Sequence, residues 1–121
     1  MIAVIFEVWP AEGRKDEYLN LAALLREELE RADGFISVER FQSLTDKGKL
    51  LSLSFWRDEE AVRAWRNNQR HRATQAAGRG GIFADYRLRI GAVLRNYGMN
   101  DRAEAPADSR TAHEGQVVSG E

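Results

Sequence analysis

Residues Ile2 to Trp9 are apolar at nearly every position, rich in β-branched and aromatic side chains, and stopped by Pro10. That composition favours a strand, and proline does not continue one inside a sheet. Ile2, Val4, Phe6 and Val8 then share one face, and Ala3, Ile5, Glu7 and Trp9 the other. Both faces are largely apolar, whereas a sheet with one wet face alternates more cleanly. Each side of this strand therefore needs a cover.

The rest of the chain supplies only part of that cover. Tyr18, Leu21, Ala22, Leu25 and Leu29 recur at helical spacing, and Asp33-Gly34 stops the pattern, so a helix is expected from Gly13 to about Ala32. Phe35–Phe41 and Leu50–Trp56 read as strands joined by a Thr45-Asp46-Lys47-Gly48 turn. Asp58 is placed to cap a second helix, with Glu59 and Glu60 in its first turn and Ala61, Val62 and Trp65 on its buried edge. Asn67-Asn68-Gln69 is weak helix sequence and predicts a break, with a second helical piece to Gly78. Ile82 to Tyr97 reads as an over-long last strand, with Gly91 as a point of bending.

The order is β-α-β-β-α-β, which right-handed crossovers lay out as an α+β, ferredoxin-like fold. One four-stranded antiparallel sheet carries helices on one face and leaves the other bare. We expect a homodimer to cover the bare face, burying Val4, Phe6 or their strand-mates on that face, with the last strand reaching into the neighbour. The folded domain should comprise residues 1–99. Residues 100–121 are polar and aperiodic and read as a flexible tail or an arm that docks on a partner.

A chain of 121 residues, 43% apolar, supports one core. It contains no cysteine, so disulfides and thiolate metal sites are excluded. A net charge of -1 argues against nucleic acid, and the arginines 63, 66, 70 and 72 follow Glu59 and Glu60 in the manner of a solvated helix face. No Lys or Arg precedes the first apolar run and no stretch is long enough to span a membrane, so a cytoplasmic protein is expected. His113 has no partner at ligand spacing, and no metal site is expected.

The run Phe55-Trp56-Arg57-Asp58-Glu59-Glu60-Ala61-Val62-Arg63-Ala64-Trp65-Arg66-Asn67-Asn68-Gln69-Arg70-His71 resembles the signature of the antibiotic biosynthesis monooxygenase (ABM) family. Ala76-Ala77-Gly78-Arg79, Phe83, Tyr86-Arg87-Leu88-Arg89-Ile90 and Arg95-Asn96-Tyr97 continue the likeness, which covers about residues 1–98. The resemblance implies a dimeric α/β barrel with a ligand cavity in each protomer. It also implies a cofactor-independent monooxygenase that oxidises a phenolic or quinol-like aromatic with dioxygen. Relatives also include haem-degrading enzymes, so the alternatives are a haem-binding enzyme with His71 as axial ligand, or a non-catalytic dimeric ligand-binding domain.

Within that frame Trp65, His71 and Asn68 are the candidate catalytic residues. Trp65 would wall the site and offer its indole N–H, although an apolar helical stripe usually faces a core. His71 could accept a phenolic proton. On an ideal helix it lies about 120° from Trp65, so the two share a cavity only if the helix breaks near Asn67. Asn68 could orient a phenol or serve only to break the helix. Tyr86, Phe83 and Arg89 are candidate substrate-binding residues, with a salt bridge across the dimer to Glu39 or Glu7 of the other protomer as the other reading for Arg89.

Overall fold

The computed structural model describes residues 1–68 and 81–112. Strand β1 (Ile2–Pro10) leads to helix α1 (Lys15–Glu30), then β2 (Phe35–Gln42) and β3 (Leu50–Trp56). Residues 59–68 form helix α2, and β4 spans Phe83–Ala92. The sheet is four-stranded in the order β2-β3-β1-β4, with every neighbouring pair antiparallel. This is the α+β, ferredoxin-like arrangement expected from the pattern of the chain.

Local chemistry sets the element boundaries. The α1 stripe turns Tyr18, Ala22 and Leu29 into the core. Gly34, at φ 82°, swings the chain into β2, and a Cβ there would lie 2.5 Å from the Ala61 Cβ. Glycine is thus required both by conformation and by the close approach of α2. Asp58 caps α2 as expected, its Oδ1 accepting from the Ala61 N–H at 2.8 Å. In the β2–β3 turn, Asp46 accepts from the Gly48 N–H at 3.0 Å and from the Trp9 indole at 2.9 Å.

Register fixes the two sheet faces. Val4 lies opposite Ser54 and Ile90, and Phe6 opposite Ser52 and Leu88. Ser52 in turn faces Arg40 on β2, and Ser54 faces Val38. This set meets Ala22, Leu25 and Leu29 of α1 and Val62 of α2 around one cavity, so it is the helix side. Of the residues expected on the bare face, Val4 and Phe6 are therefore corrected to the helix side, and their strand-mates Ala3 and Ile5 take the bare one. Both faces of β1 are apolar, and alternation alone does not say which one the crossovers cover.

The outer face carries Ala3, Ile5, Leu51, Leu53, Phe55 and Phe41, with Glu7 between Lys49 and Arg89. Phe41 is exposed, and Ile5, Leu51, Leu53 and Phe55 are only half-buried. The Glu7 carboxyl is held below its ordinary value, chiefly by the Lys49 hydrogen bond and further by the charges of Lys49 and Arg89. A depressed folded value means that Glu7 stabilises the fold above the ordinary glutamate pKa of about 4.3. That contribution fades as pH falls from there through the folded value. Glu7→Gln should thus melt below the native protein at neutral pH, and thermal scans down to pH 3 should show the gap closing. A gap of constant size would remove Glu7 from the acid response.

The last strand is shorter than expected. It ends at Ala92, and residues 93–98 have no regular structure, although the Val93 N–H still reaches the Met1 carbonyl at 2.9 Å. β1 begins at Ile2 and so offers no further pairing partner within the chain. Beyond it, Arg102 lies over the Tyr97 ring at 5.0 Å and donates to the carbonyls of Gly98 and Ser109. Arg110 donates to the carbonyls of Ala103 and Ala105, and residues 107–112 are helical. The composition of this segment hides that source of order, which is guanidinium capping of backbone carbonyls together with the burial of Ala105.

Candidate functional site

The side chains between sheet and helices pack in two groups. Val8, Tyr18, Leu50 and Ile82 form one, with Phe6, Leu21 and Phe83 against it. Leu29, Trp56, Ala61 and Val62 form the other, with Val4, Phe35, Val38 and Trp65. Interiors are normally close-packed, with few voids larger than a water. Here a cavity of about 190 Å³ opens where the two groups meet, lined by Val4, Phe6, Leu88, Ile90, Trp56 and Trp65 among others.

Two tryptophans make its firmest wall. Trp56 is 1% exposed and donates its indole N–H to Ser54 Oγ at 3.0 Å. Its ring lies 6.2 Å from that of Trp65, tilted by 33°. Trp65 itself is half-buried, and its indole N–H makes no hydrogen bond to a described residue. A flat ligand against Trp65 would thus meet an apolar plane with a free donor at its edge.

The floor changes character across the sheet. Phe6 and Leu88 give it an apolar side, while Ser52 and Arg40 in the same cross-strand row give it a polar one. Among the described lining residues the charged ones are Arg40 and Arg66, both cationic. The field at this site therefore favours an anion or a developing negative charge.

Of the residues singled out from sequence, Trp65 lines the cavity. Asn68 is exposed and lies instead in a shallower outer cleft with Asp33, Arg57 and Glu60. Trp65 borders both spaces, whereas Asn68 is three positions further along α2. Asn67 and Asn68 are both helical, so the expected break is absent up to residue 68. His71 and the second helical piece lie outside the described residues, as does His113. Phe83 and Tyr86 belong to an aromatic group with Phe6 and Tyr18 beside the cavity, with ring centroids 5.7–6.1 Å apart. Tyr86 is 57% exposed.

Arg89 lies on the outer sheet face, paired with Glu7 of the same chain. Its odd position in β4 points it away from the cavity, and the ion pair expected with a partner's Glu39 or Glu7 is made instead with Glu7 of its own chain. The residues missed were Trp56, Ser52 and Arg40. Arg40 had a visible signal: it is a charge at an inward position between Val38 and Gln42, where alternation calls for an apolar residue. Among the described residues no group of three or more His, Asp or Glu side chains is placed to hold a metal ion.

Comparison with known proteins places this geometry among relatives. The antibiotic biosynthesis monooxygenase family matches residues 1–77. A protein of Pyricularia oryzae named jasmonate monooxygenase ABM is 46% identical over 101 residues, 84% of this chain and 47% of that protein. The chain thus spans about half the length of this curated relative. Among solved structures, Rv0793 of Mycobacterium tuberculosis superposes with a TM-score of 0.69 at 18% identity, covering 80% of this chain and 98% of that one. PA3566 of Pseudomonas aeruginosa gives 0.64 at 16% identity, covering 77% and 93%. These structural likenesses show the fold; the sequence match over residues 1–77 shows that the chain belongs to the antibiotic biosynthesis monooxygenase family.

Proposed function

We propose that the chain is a monooxygenase that oxidises a phenolic or quinol-like aromatic with dioxygen, needing no cofactor. The supporting observation is the cavity, which is apolar, walled by Trp56 and Trp65, and charged only with arginine among its described lining residues. A phenolate bound there gives an electron to dioxygen more readily than the neutral phenol. Recombination at a ring carbon and loss of water convert CH₂ plus O₂ to C=O plus H₂O, so no external reductant is required. The protein binds, promotes deprotonation, and keeps water from the reacting carbon. His71 takes the phenolic proton, and Asn68 with Tyr86 and Phe83 borders the path of the substrate.

The enzyme works as a homodimer closed over the outer sheet face, in the cytoplasm, with residues 1–99 as the catalytic domain and 100–121 as an appendage. Among the described residues no helix is long and apolar enough to cross a membrane. The name of the Pyricularia relative supports a second substrate, jasmonate, an alicyclic keto acid.

An oxygen electrode tests the main reading. Chelator-treated protein should consume oxygen with a dihydroxylated polycyclic aromatic and form the quinone. Trp65→Phe should lower kcat/KM about tenfold through lost packing and the lost indole donor. His71→Ala should slow the reaction most below the pKa of the substrate phenol and least above it, where the phenol ionises unaided. Oxygen uptake with jasmonate but no aromatic would select the second substrate. No uptake with either would retire the oxygenase.

A further inference from the structure

Arg40 carries a buried guanidinium nitrogen, Nε, without a hydrogen-bond partner. Its side chain lines the cavity and makes no hydrogen bond or ion pair to another described residue. The nearest acid on its own strand, Glu39, is on the opposite sheet face by alternation. On the helix side of the sheet its row runs Arg40, Ser52, Phe6, Leu88, and the next runs Val38, Ser54, Val4, Ile90. Neither row holds an acid. From above, the cavity is bordered by Ala22, Leu25 and Leu29 of α1 and by Val62, Trp65 and Arg66 of α2, again without a carboxylate among the described lining residues.

A buried guanidinium N–H left unpaired costs stability unless a ligand completes it. Arginine presents its donors in a plane that matches a carboxylate, two nitrogens to two oxygens. Ser52 sits directly across the strand pair from Arg40 on the same face, and its hydroxyl has no partner among the described residues. We propose that Arg40, with the Ser52 hydroxyl beside it, binds the carboxylate of a small acid whose apolar body fills the cavity towards Trp65, and so selects the substrate. Calling that acid a substrate rests on the oxygenase reading; the carboxylate site itself does not.

Binding separates the two. Calorimetric titration of the full chain with 1-naphthoate and with neutral 1-naphthamide compares ligands of one shape and different charge. The native protein should bind the naphthoate at least about tenfold more tightly. Arg40→Gln should abolish that preference while leaving the naphthamide affinity within about twofold. Arg40→Lys should keep part of the preference, because a point charge replaces the fork. The melting temperature of Arg40→Gln should equal or exceed the native value, since an unpaired charge has gone. If it falls instead, Arg40→Met, which keeps the bulk of the stem, carries the comparison.

Equal binding of the two ligands by native protein overturns the proposal. So does a preference that survives in the neutral variants, or no naphthoate binding up to millimolar concentration. Oxygen uptake is read apart from these titrations. A carboxylate preference with no uptake from any aromatic leaves the Arg40 site standing and the oxygenase fallen. Uptake that is indifferent to a carboxylate on the substrate does the reverse.

Discussion

Trp56→Ala should cost about 3–5 kcal/mol of folding stability, the usual range for deleting a buried aromatic. For a domain of this size that is a fall in melting temperature of about 12 °C or more. Among the described residues Trp56 is the larger of two side chains under 2% exposed, the other being Val8. Its ring meets Phe35 edge-on at 5.5 Å and Trp65 at 6.2 Å, so it joins β2, β3 and α2. Truncation would merge the space it leaves with the existing cavity, which the surroundings have already failed to fill. It would also take from Ser54, 8% exposed, the donor at 3.0 Å, and an orphaned buried hydroxyl adds about 1 kcal/mol or more. Trp56→Phe separates the terms by keeping an aromatic ring and losing the indole donor, at about 1–2 kcal/mol. Urea titration measures both. A loss below about 1 kcal/mol for the alanine variant would mean that Trp56 is not the keystone its burial implies.

Leu53→Asp should convert a dimer to a monomer with an intact sheet. Leu53 lies at the middle of the outer face, opposite Ile5 on one side and Glu39 on the other. Leu51 and Phe55 stand two residues away on the same face of β3, and Ile5 and Ala3 on β1. A contiguous apolar sheet face of this kind calls for a partner, and a second copy supplies the same patch in return. A carboxylate buried there without a counterion would cost several kcal/mol in each protomer. Exposed in a free monomer, it costs little. Light scattering at micromolar concentration should show the mass halved, with far-ultraviolet circular dichroism unchanged. A native protein already monomeric at that concentration would end the dimer reading.

The order of elements was legible because each carried its own period and its own stop: Pro10 after β1, Asp33-Gly34 after α1, Asp58 before α2. The choice of face was not. It is set by the side to which the crossovers return, and β1 is apolar on both sides, so Val4 and Phe6 gave no hint that they line the cavity floor. Trp65 was found because a tryptophan on a helix edge is conspicuous. Ser52 was passed over because a small hydroxyl on a strand has many uses, and its meaning comes only from its register with Arg40. The end of β4 was misjudged for a related reason. Apolar alternation continues to Leu94, but a strand also needs a neighbour, and β1 starts at Ile2.

The cross-strand register has a consequence for how such a protein changes over generations. In β1 and β3, in β2 from Val38 onward and in β4 from Asp85 onward, even-numbered residues face the helix side, where the cavity lies, and odd-numbered ones face the outer side. A point substitution at an even position retunes what the cavity accepts and leaves the opposite surface as it was. One at an odd position alters the outer face without touching the cavity. Inserting or deleting a single residue within a strand exchanges the two sets at once. The cavity lining and the outer face can therefore drift independently by substitution, while the lengths of the four strands are held fixed by both.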